Sequence, residues 1–343
     1  MKPFHSLTRS GQIARYRSLA EQTLMHYELD AQQIIPLQYA HNATFRIDAQ
    51  GEADPMRFAL RIQHPRLRSS RAINSELHWL QAIAQDTKLV VPKPVPNKQG
   101  ELITTISVEG IPEARHCILF EWVYGIFFRS QLGVAGLEQA GEFMATLHNH
   151  ATCYSPPAWF LRQRWDGQGL LGSALQIDIQ KSRNELSPSQ LYTLDTATEQ
   201  IQQITQELGE GPEVFNLIHA DFHEANYLFL NQKIRAIDFD SCGWGYYLYD
   251  IGVTFSTLQH LPNFSALRAA FLRGYRHIRS LPLKHEECIQ AFIGARLLGN
   301  ILLLAHHVRE PGFRRAAQVR IDHQVKYLEA LLGQSNELYT ENE

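Results

Sequence analysis

Two carboxylates and an amide, Asp221, Asn226 and Asp238, lie in the most polar part of an apolar segment. That segment reads Leu217-Ile218-His219-Ala220-Asp221-Phe222-His223-Glu224-Ala225-Asn226-Tyr227-Leu228 and is continued by Ile237-Asp238-Phe239-Asp240 and Tyr249-Asp250-Ile251-Gly252. Asp221 and Asn226 stand five positions apart, and Asp238 follows a β-turn, so three oxygen donors are supplied. Such a set suits one or two hard cations such as Mg²⁺ and leaves one carboxylate free as a base. Two other readings compete. Asp and Asn are common turn formers and helix caps, although His219 and His223 beside very apolar strands argue for more than that. His219, Asp221 and His223 also alternate, so on a strand they would share a face and could bind a transition metal; that reading requires further ligands elsewhere and leaves Asp238 unused.

Rigid elements must hold these heads in place. Residues 227–230 and 234–237 read as two short apolar strands joined by Asn231-Gln232-Lys233, with polar residues at their ends. Upstream, residues 11–28 approximate a helical stripe through Ile13, Tyr16, Leu19, Leu24 and Tyr27. Strands follow at 34–39, 43–48 and 57–63, where Phe58, Leu60 and Ile62 alternate with Arg57, Ala59 and Arg61. A helix over 70–85 carries Ile73, Leu77, Leu80 and Ala84 with Glu76 beside them. Residues 91–96, Val-Pro-Lys-Pro-Val-Pro, exclude a central helix or strand, because proline removes a donor and fixes φ. Two more strands are expected at 101–108 and 117–123. After Gly125 helices dominate, at 137–150, 189–208, 266–279, 285–307 and 313–332. The expected division is a leading helix (1–30) and an N-terminal lobe (1–120), a hinge (121–125) and a helical lobe (126–343). A cleft between two such lobes is the usual place for a ligand.

Composition narrows the classes. At roughly 150 residues per domain, 343 residues make about two domains or one bilobed unit. With 44% hydrophobic residues the chain has enough apolar material to offset ordering entropy, which excludes disorder for most of it. The 32 Lys and Arg nearly balance 35 Asp and Glu, so there is no broad basic field and nucleic acid is not an expected partner. The four cysteines (Cys117, Cys153, Cys242, Cys288) form no C-x-x-C pair, which argues against a disulfide framework or a zinc site. The N-terminus lacks the pattern of a secretory signal. The longest strongly apolar tract, near 301–305, is far short of the roughly 20 residues that span a bilayer. A cytoplasmic chain without a membrane partner, monomeric or homodimeric, is the expectation.

At this point the residues resemble a known family. H-x-D-x-x-x-x-N followed by D-F-x is the catalytic signature of protein-kinase-like phosphotransferases. His219-x-Asp221-x-x-x-x-Asn226 with Asp238-Phe239-Asp240 and the later Asp250 resembles the aminoglycoside/choline kinase branch, and within it the group of homoserine kinase type II and the bacterial stress-response kinases. The resemblance spans about residues 30–305. It implies an α+β, bilobed protein-kinase-like fold, with a small N-terminal antiparallel-sheet lobe and a larger, mainly helical C-terminal lobe. It further implies ATP and Mg²⁺ as cofactors. Asp221 would orient and deprotonate an acceptor hydroxyl, and Asn226 and Asp238 would hold Mg²⁺ on the phosphates. His219 would be a structural group behind the catalytic loop, and Asp250 would brace that loop by accepting backbone N–H bonds. His223 is a candidate contact to acceptor or phosphate.

In the N-terminal lobe Phe58-Ala59-Leu60-Arg61 matches the strand that ends in V-A-I-K in kinases, with Arg in place of Lys. By the resemblance, Ala59 lets adenine pack close, Arg61 reaches phosphate oxygens, and Glu76 is its partner; a solvated strand and helix face is the plainer reading. The glycine-rich loop is absent: its place reads Tyr39-Ala40-His41-Asn42-Ala43-Thr44-Phe45, and the resemblance implies Asn42 as the phosphate contact, because members of that branch often have an asparagine at this turn, with Thr44 or the Ala43 backbone as alternatives. Residues 119–123 resemble the hinge, with the backbone of Glu121 and Val123 bonding the adenine edge; a buried connecting strand would look the same.

The acceptor is expected to be a small hydroxylated metabolite. Aminoglycosides are polycations, and the last third has no long acidic run to receive one. Residues 159–172, with Arg162, Arg164 and Asp166, either close over the acceptor or form an anchored surface loop. Asp240, Trp244, Tyr246 and Tyr247 either line the pocket or fill the core. Arg296, in an apolar helix, either faces the cleft or caps a buried carboxylate. The alternatives to a small-molecule kinase are a stress-response-type protein Ser/Thr kinase and a non-catalytic nucleotide-binding module. Only eleven residues separate Asp238 from Asp250, which is short for an activation segment.

Overall fold

The alternation at residues 57–63 becomes a strand, Met56–Ile62, in the middle of an antiparallel sheet. The computed structural model describes residues 2–39, 42–51, 54–65, 67–127, 133–231, 233–309 and 314–340. It divides into two units, Met1–Gly125 with Ser155–Leu161, and Ile126–Tyr154 with Arg162–Glu343.

The first unit runs α1 (Arg9–Leu24), β1 (Asp30–Tyr39), β2 (Ala43–Gln50), β3 (Met56–Ile62), α2 (Ser70–Asp86), β4 (Pro94–Val95), β5 (Thr104–Ile106) and β6 (Arg115–Glu121). The sheet order is β1-β2-β3-β6-β4, with β5 also on β6. β4 is an edge strand and Pro94 its first residue, both positions that tolerate a residue without an N–H. The period of two sorts β3 into faces. Phe58, Leu60 and Ile62 join Tyr16, Leu19 and Leu24 of α1 in one core, and Arg61 on the opposite face meets Glu76 of α2. α2 begins where the Ser69 hydroxyl accepts the Ala72 N–H at 3.2 Å. It buries Ile73, Glu76, Leu77, Leu80 and Ile83, the i, i+3, i+4, i+7 stripe of an amphipathic helix. α1 stops four residues before the helix expected to reach 28, and β6 ends at Glu121, so Trp122 and Val123 lie beyond the strand rather than in it.

The second unit comprises β7 (Ile126–Phe127), α3 (Val134–Cys153), β8 (Arg164–Trp165), α4 (Gly167–Leu170), α5 (Ile179–Arg183), α6 (Pro188–Leu208), β9 (Phe215–Ile218), β10 (Tyr227–Leu230), β11 (Lys233–Ala236), β12 (Gly243–Tyr246), α7 (Tyr247–Ser256), α8 (Phe264–Ile278), α9 (Leu283–Glu287), α10 (Ile289–His307) and α11 (Arg314–Thr340). α6 opens on a capping box, Ser187 with Gln190, and a proline in its first turn. Two small sheets, β11-β10-β7 and β8-β12-β9, carry the polar cluster. α10 packs against α6, α7 and α11. The segment Leu283–His307 is long and apolar enough to cross a membrane by length and composition, so the apolar stretch is longer than residues 301–305; 61% of its most apolar window is buried, which explains the composition by core packing. None of the four cysteines is in a disulfide.

Candidate active site

The polar cluster is built around a buried carboxylate. α7 is buried along nearly its whole length and holds Asp250 at 0% exposure. Asp250 Oδ2 accepts the His219 N–H at 2.9 Å and Oδ1 accepts the Ala220 N–H at 2.6 Å. This is the brace that the resemblance implies. Ala220 has φ of 63°, in the left-handed region that costs a residue with a Cβ about 1–2 kcal/mol. The two charge-assisted bonds hold the turn there. His148 of α3, which sequence reasoning passed over, completes the site: its Nε2 lies 3.2 Å from Asp250 Oδ2 and its Nδ1 2.9 Å from the Tyr275 hydroxyl. Burial pushes His148 below the ordinary imidazole value, although Asp250 pulls the other way.

The strained turn presents Asp221. Its Oδ2 accepts from Asn226 Nδ2 at 3.0 Å, and the same amide reaches the Asp221 carbonyl at 2.9 Å. Its Oδ1 accepts from Arg296 Nη2 at 2.6 Å, with His223 Nε2 at 3.5 Å. Burial raises the affinity of this carboxyl for a proton, but the Arg296 guanidinium, with His223, outweighs it and holds Asp221 well below the usual carboxylate range. Of the two options left open for Arg296, the structure shows the pairing with a carboxylate, that of Asp221. A lone arginine in an apolar helix was the only signal of this pairing.

His219 is fully buried, and burial keeps its imidazole below the ordinary value. Its Nδ1 accepts the Asp221 N–H at 3.2 Å, so Nε2 carries the hydrogen and donates to the Ile237 carbonyl at 3.2 Å. The ring thereby ties the turn of Asp221 to the residue before Asp238. Opposed to that ring use, the transition-metal reading fails: among the described residues no group of three or more His, Cys, Asp or Glu is arranged to hold a metal. A hard cation held by one or two protein ligands plus phosphates and water needs no such group. The β10–β11 hairpin pairs Tyr227 with Ala236, and the Ile237 N–H donates to the Asn226 carbonyl at 3.0 Å, so Asp238 stands one residue beyond Asn226's partner. With Nδ2 committed to Asp221, Asn226 Oδ1 accepts from no donor among the described residues. Asp238, at φ 64°, is solvent-exposed and turns the chain away from β11.

The first unit holds the other candidates. Arg61 and Glu76 form a bidentate pair at 2.8 and 2.9 Å, with side chains 9% and 1% exposed, and the guanidinium carbon lies 5.1 Å from the Phe120 ring centroid. The plainer reading of a solvated face is overturned by that burial. Ala59 is opposite Phe120 and Arg46 in the ladder. Asn42 Oδ1 accepts the His64 N–H at 3.1 Å; Ala40 and His41, in the same loop, lie outside the described residues. The Glu121 N–H is taken by the Lys93 carbonyl at 2.8 Å, so that donor is not available to a nucleotide. The main chain of Val123 meets no partner among the described residues.

Residues 159–172 anchor more than they cover. Trp159 packs edge-on against the His78 ring and its carbonyl accepts from Arg71. In the second unit Arg162 donates to the carbonyls of Cys242 and Asp240, and Gln163 and Trp165 both donate to that of Ser241. Four bonds thus fix the turn that follows Asp238. Tyr246 and Tyr247 are buried core residues rather than pocket lining.

An antiparallel-sheet unit with a buried Arg–Glu pair, followed by a helical unit carrying H-x-D-x-x-x-x-N and D-F-D, defines a protein-kinase-like fold. The chain belongs to the phosphotransferase enzyme family APH, which residues 34–288 match. Amicoumacin kinase of Bacillus subtilis (strain 168) is 26% identical over 207 residues, 58% of this chain and 56% of that protein. An uncharacterized protein, sll1119, of Synechocystis sp. (strain ATCC 27184 / PCC 6803 / Kazusa) is 26% identical over 236 residues, 68% of this chain and 63% of that one. The chain thus spans less than two thirds of the length of these curated relatives. Among solved structures, a microcompartment-associated aminopropanol kinase superposes with a TM-score of 0.79 at 27% identity, covering 93% of this chain and 98% of that one. Amicoumacin kinase hAmiN, solved with AMP-PNP, Ca²⁺ and Ami, shares the fold with a TM-score of 0.78 at 21% identity, covering 94% and 96%.

Proposed function

We propose that this chain is an ATP- and Mg²⁺-dependent phosphotransferase that moves the γ-phosphoryl group to a hydroxyl of a small-molecule metabolite, with Asp221 as the base. The observation that carries the reading is Asp221 itself: a carboxylate fixed at both oxygens on a turn braced by Asp250. Bound Mg²⁺ would neutralise charge on the phosphates, with Asn226 Oδ1 and Asp238 as its protein ligands. Asp221 orients the hydroxyl, whose oxygen bonds to the γ-phosphorus as the bond to ADP breaks, and it receives the hydroxyl proton. A carboxylate held well below its usual range is a weak base, which suits a loose transition state in which positioning outweighs early proton removal. Arg61, fixed by Glu76, is the cation for the nucleotide's phosphates, and the main chain of Val123 is the adenine contact. The names of similar proteins, aminopropanol kinase and amicoumacin kinase, support a small-molecule acceptor.

The test pairs binding with turnover. Thermal melts are recorded with ATP, with and without Mg²⁺, on wild type, Asp221→Asn and Asp238→Ala, beside ADP release with hydroxylated acceptors. A ligand that binds only the folded state adds about 2.7 kcal/mol at a hundredfold excess over Kd. Expected are a Mg²⁺-dependent rise in wild type, its loss in Asp238→Ala, and in Asp221→Asn a retained rise with turnover down about 10²- to 10⁴-fold. Loss of nucleotide binding together with turnover in Asp221→Asn would make that side chain structural and sink the assignment.

A further inference from the structure

Asp221 is anchored on its far side as well as its near side. Thr254 stands on α7 one turn beyond Asp250, so both side chains leave the same face of the helix. Asp250 takes the His219 and Ala220 N–H groups, just before Asp221. Thr254 Oγ1 donates to the Phe222 carbonyl, just after it, at 2.7 Å; the Asp250 carbonyl, its other acceptor, is farther at 3.2 Å. The Tyr227 hydroxyl, at the start of β10, donates to the same Phe222 carbonyl at 2.8 Å and lies 3.0 Å from Thr254 Oγ1. Phe222, Tyr227 and Thr254 are all buried. Burial holds the Tyr227 phenol well above its ordinary value, so it keeps its hydrogen to donate.

One donor is enough to spare a buried carbonyl its desolvation penalty. A second donor on the other lone pair fixes the direction in which the carbonyl points. The Phe222–His223 peptide is planar and trans, so fixing its C=O also aims its N–H the opposite way. That N–H, of His223, donates to the Asp221 carbonyl at 3.1 Å, the same oxygen that Asn226 Nδ2 holds. The His223 ring is thereby kept 3.5 Å from Asp221 Oδ1. We infer that Thr254 and Tyr227 are positioning residues for Asp221, acting through the Phe222–His223 peptide to set the direction of its carboxylate. The inference rests on the phosphotransfer reading above and adds to it a second clamp, on the other side of Asp221 from that of Asp250. Because two hydroxyls serve one carbonyl, either one covers much of the loss of the other, and only removal of both lets the peptide turn.

The experiment compares wild type with Thr254→Val, Thr254→Ser, Tyr227→Phe and the double variant Tyr227→Phe/Thr254→Val. ADP release from Mg²⁺-ATP is measured with glycerol, 1-amino-2-propanol and D-glycerate, well below each variant's melting temperature. Nucleotide-induced thermal shifts and hydrogen exchange of residues 219–226 are recorded beside it. Expected is a fall in kcat of less than about fivefold in Thr254→Val and in Tyr227→Phe, and of about 100-fold in the double variant, beyond the product of the two. The KM for ATP and the nucleotide-induced shift stay at wild-type values, residues 219–226 exchange faster in the double variant, and Thr254→Ser, which keeps the hydroxyl, matches wild type. A double variant with wild-type kcat would overturn the inference. So would strictly multiplicative losses, since the hydroxyls would then not share one task. Loss of the nucleotide-induced shift together with kcat would overturn it too, by showing general damage to the fold. Should the double variant fail to fold, equal kcat in Thr254→Val and Thr254→Ser overturns the inference and a lower value in Thr254→Val supports it. Absence of turnover in wild type would count against phosphotransfer itself; unchanged exchange of 219–226 in the double variant would then overturn the anchoring as well, and faster exchange would uphold it.

Discussion

At the scale of single residues, the site depends on charge being placed where water does not reach. Asp250 and His148 are both fully buried, and the carboxylate is compensated by two backbone N–H groups and the imidazole. Burial lowers the proton affinity of His148 and of His219. Below an imidazole's ordinary value, about 6.5, the unfolded chain therefore binds protons that the folded chain refuses, so stability falls as pH drops. Above that value both states are neutral and neither group contributes. Each group adds a slope of up to about 1.4 kcal/mol per pH unit. Urea midpoints at pH 7.5, 6.5 and 5.5 should decline across the two lower values, and less steeply in His148→Gln. An identical decline in that variant would assign the loss to other groups. Asp221, held low by Arg296 against the push of burial, adds its own loss only below about pH 4.

At the scale of elements, two contacts decide the geometry. α7 carries Asp250 and α10 carries Arg296, and they approach at Gly252. A Cβ there would stand 2.7 Å from the Phe292 carbonyl carbon and 2.9 Å from the Ile293 nitrogen, closer than real contacts allow. Gly252→Ala should cost about 1–3 kcal/mol in thermal unfolding and lower turnover by shifting the helices that hold Asp250 and Arg296. Unchanged stability and activity would show that α7 and α10 separate freely. On β3 and α2, Arg61 and Glu76 are buried as a pair, so Glu76→Gln leaves a buried guanidinium undercompensated and should destabilise by about 3–5 kcal/mol. Chemical denaturation measures this directly. Sequence periodicity found α2, α6 and β3, where one face is buried and the other is not. It missed α7 and β12, because an element buried on nearly every side has no alternation to detect.

At the scale of the whole molecule, phosphotransfer to a small solute and to a protein differ in where the phosphate ends. The residues between Asp238 and Asp250 are taken up by a single 3₁₀ turn, Phe239–Ser241, by β12 and by the start of α7. No segment there is left over to form a peptide platform. γ-Labelled ATP should therefore transfer label to a small hydroxylated solute and leave the chain and added proteins unlabelled; label in protein would favour the protein-kinase alternative. The residue types of the proposed chemistry, and their order, were legible because Asp221, Asn226 and Asp238 flank a single hairpin, where local spacing sets proximity. The pairing of Arg61 with Glu76 was expected from the resemblance of 58–61 to the kinase strand and of the next helix to its partner, and the structure shows the pair. The sequence by itself thus determined the class of site and the two-part fold. Only the tertiary structure decided that Arg296 engages Asp221 and that His148 supports Asp250. Those partners stand 75 and 102 positions apart in the chain. Their meeting depends on how helices pack, which no local pattern encodes.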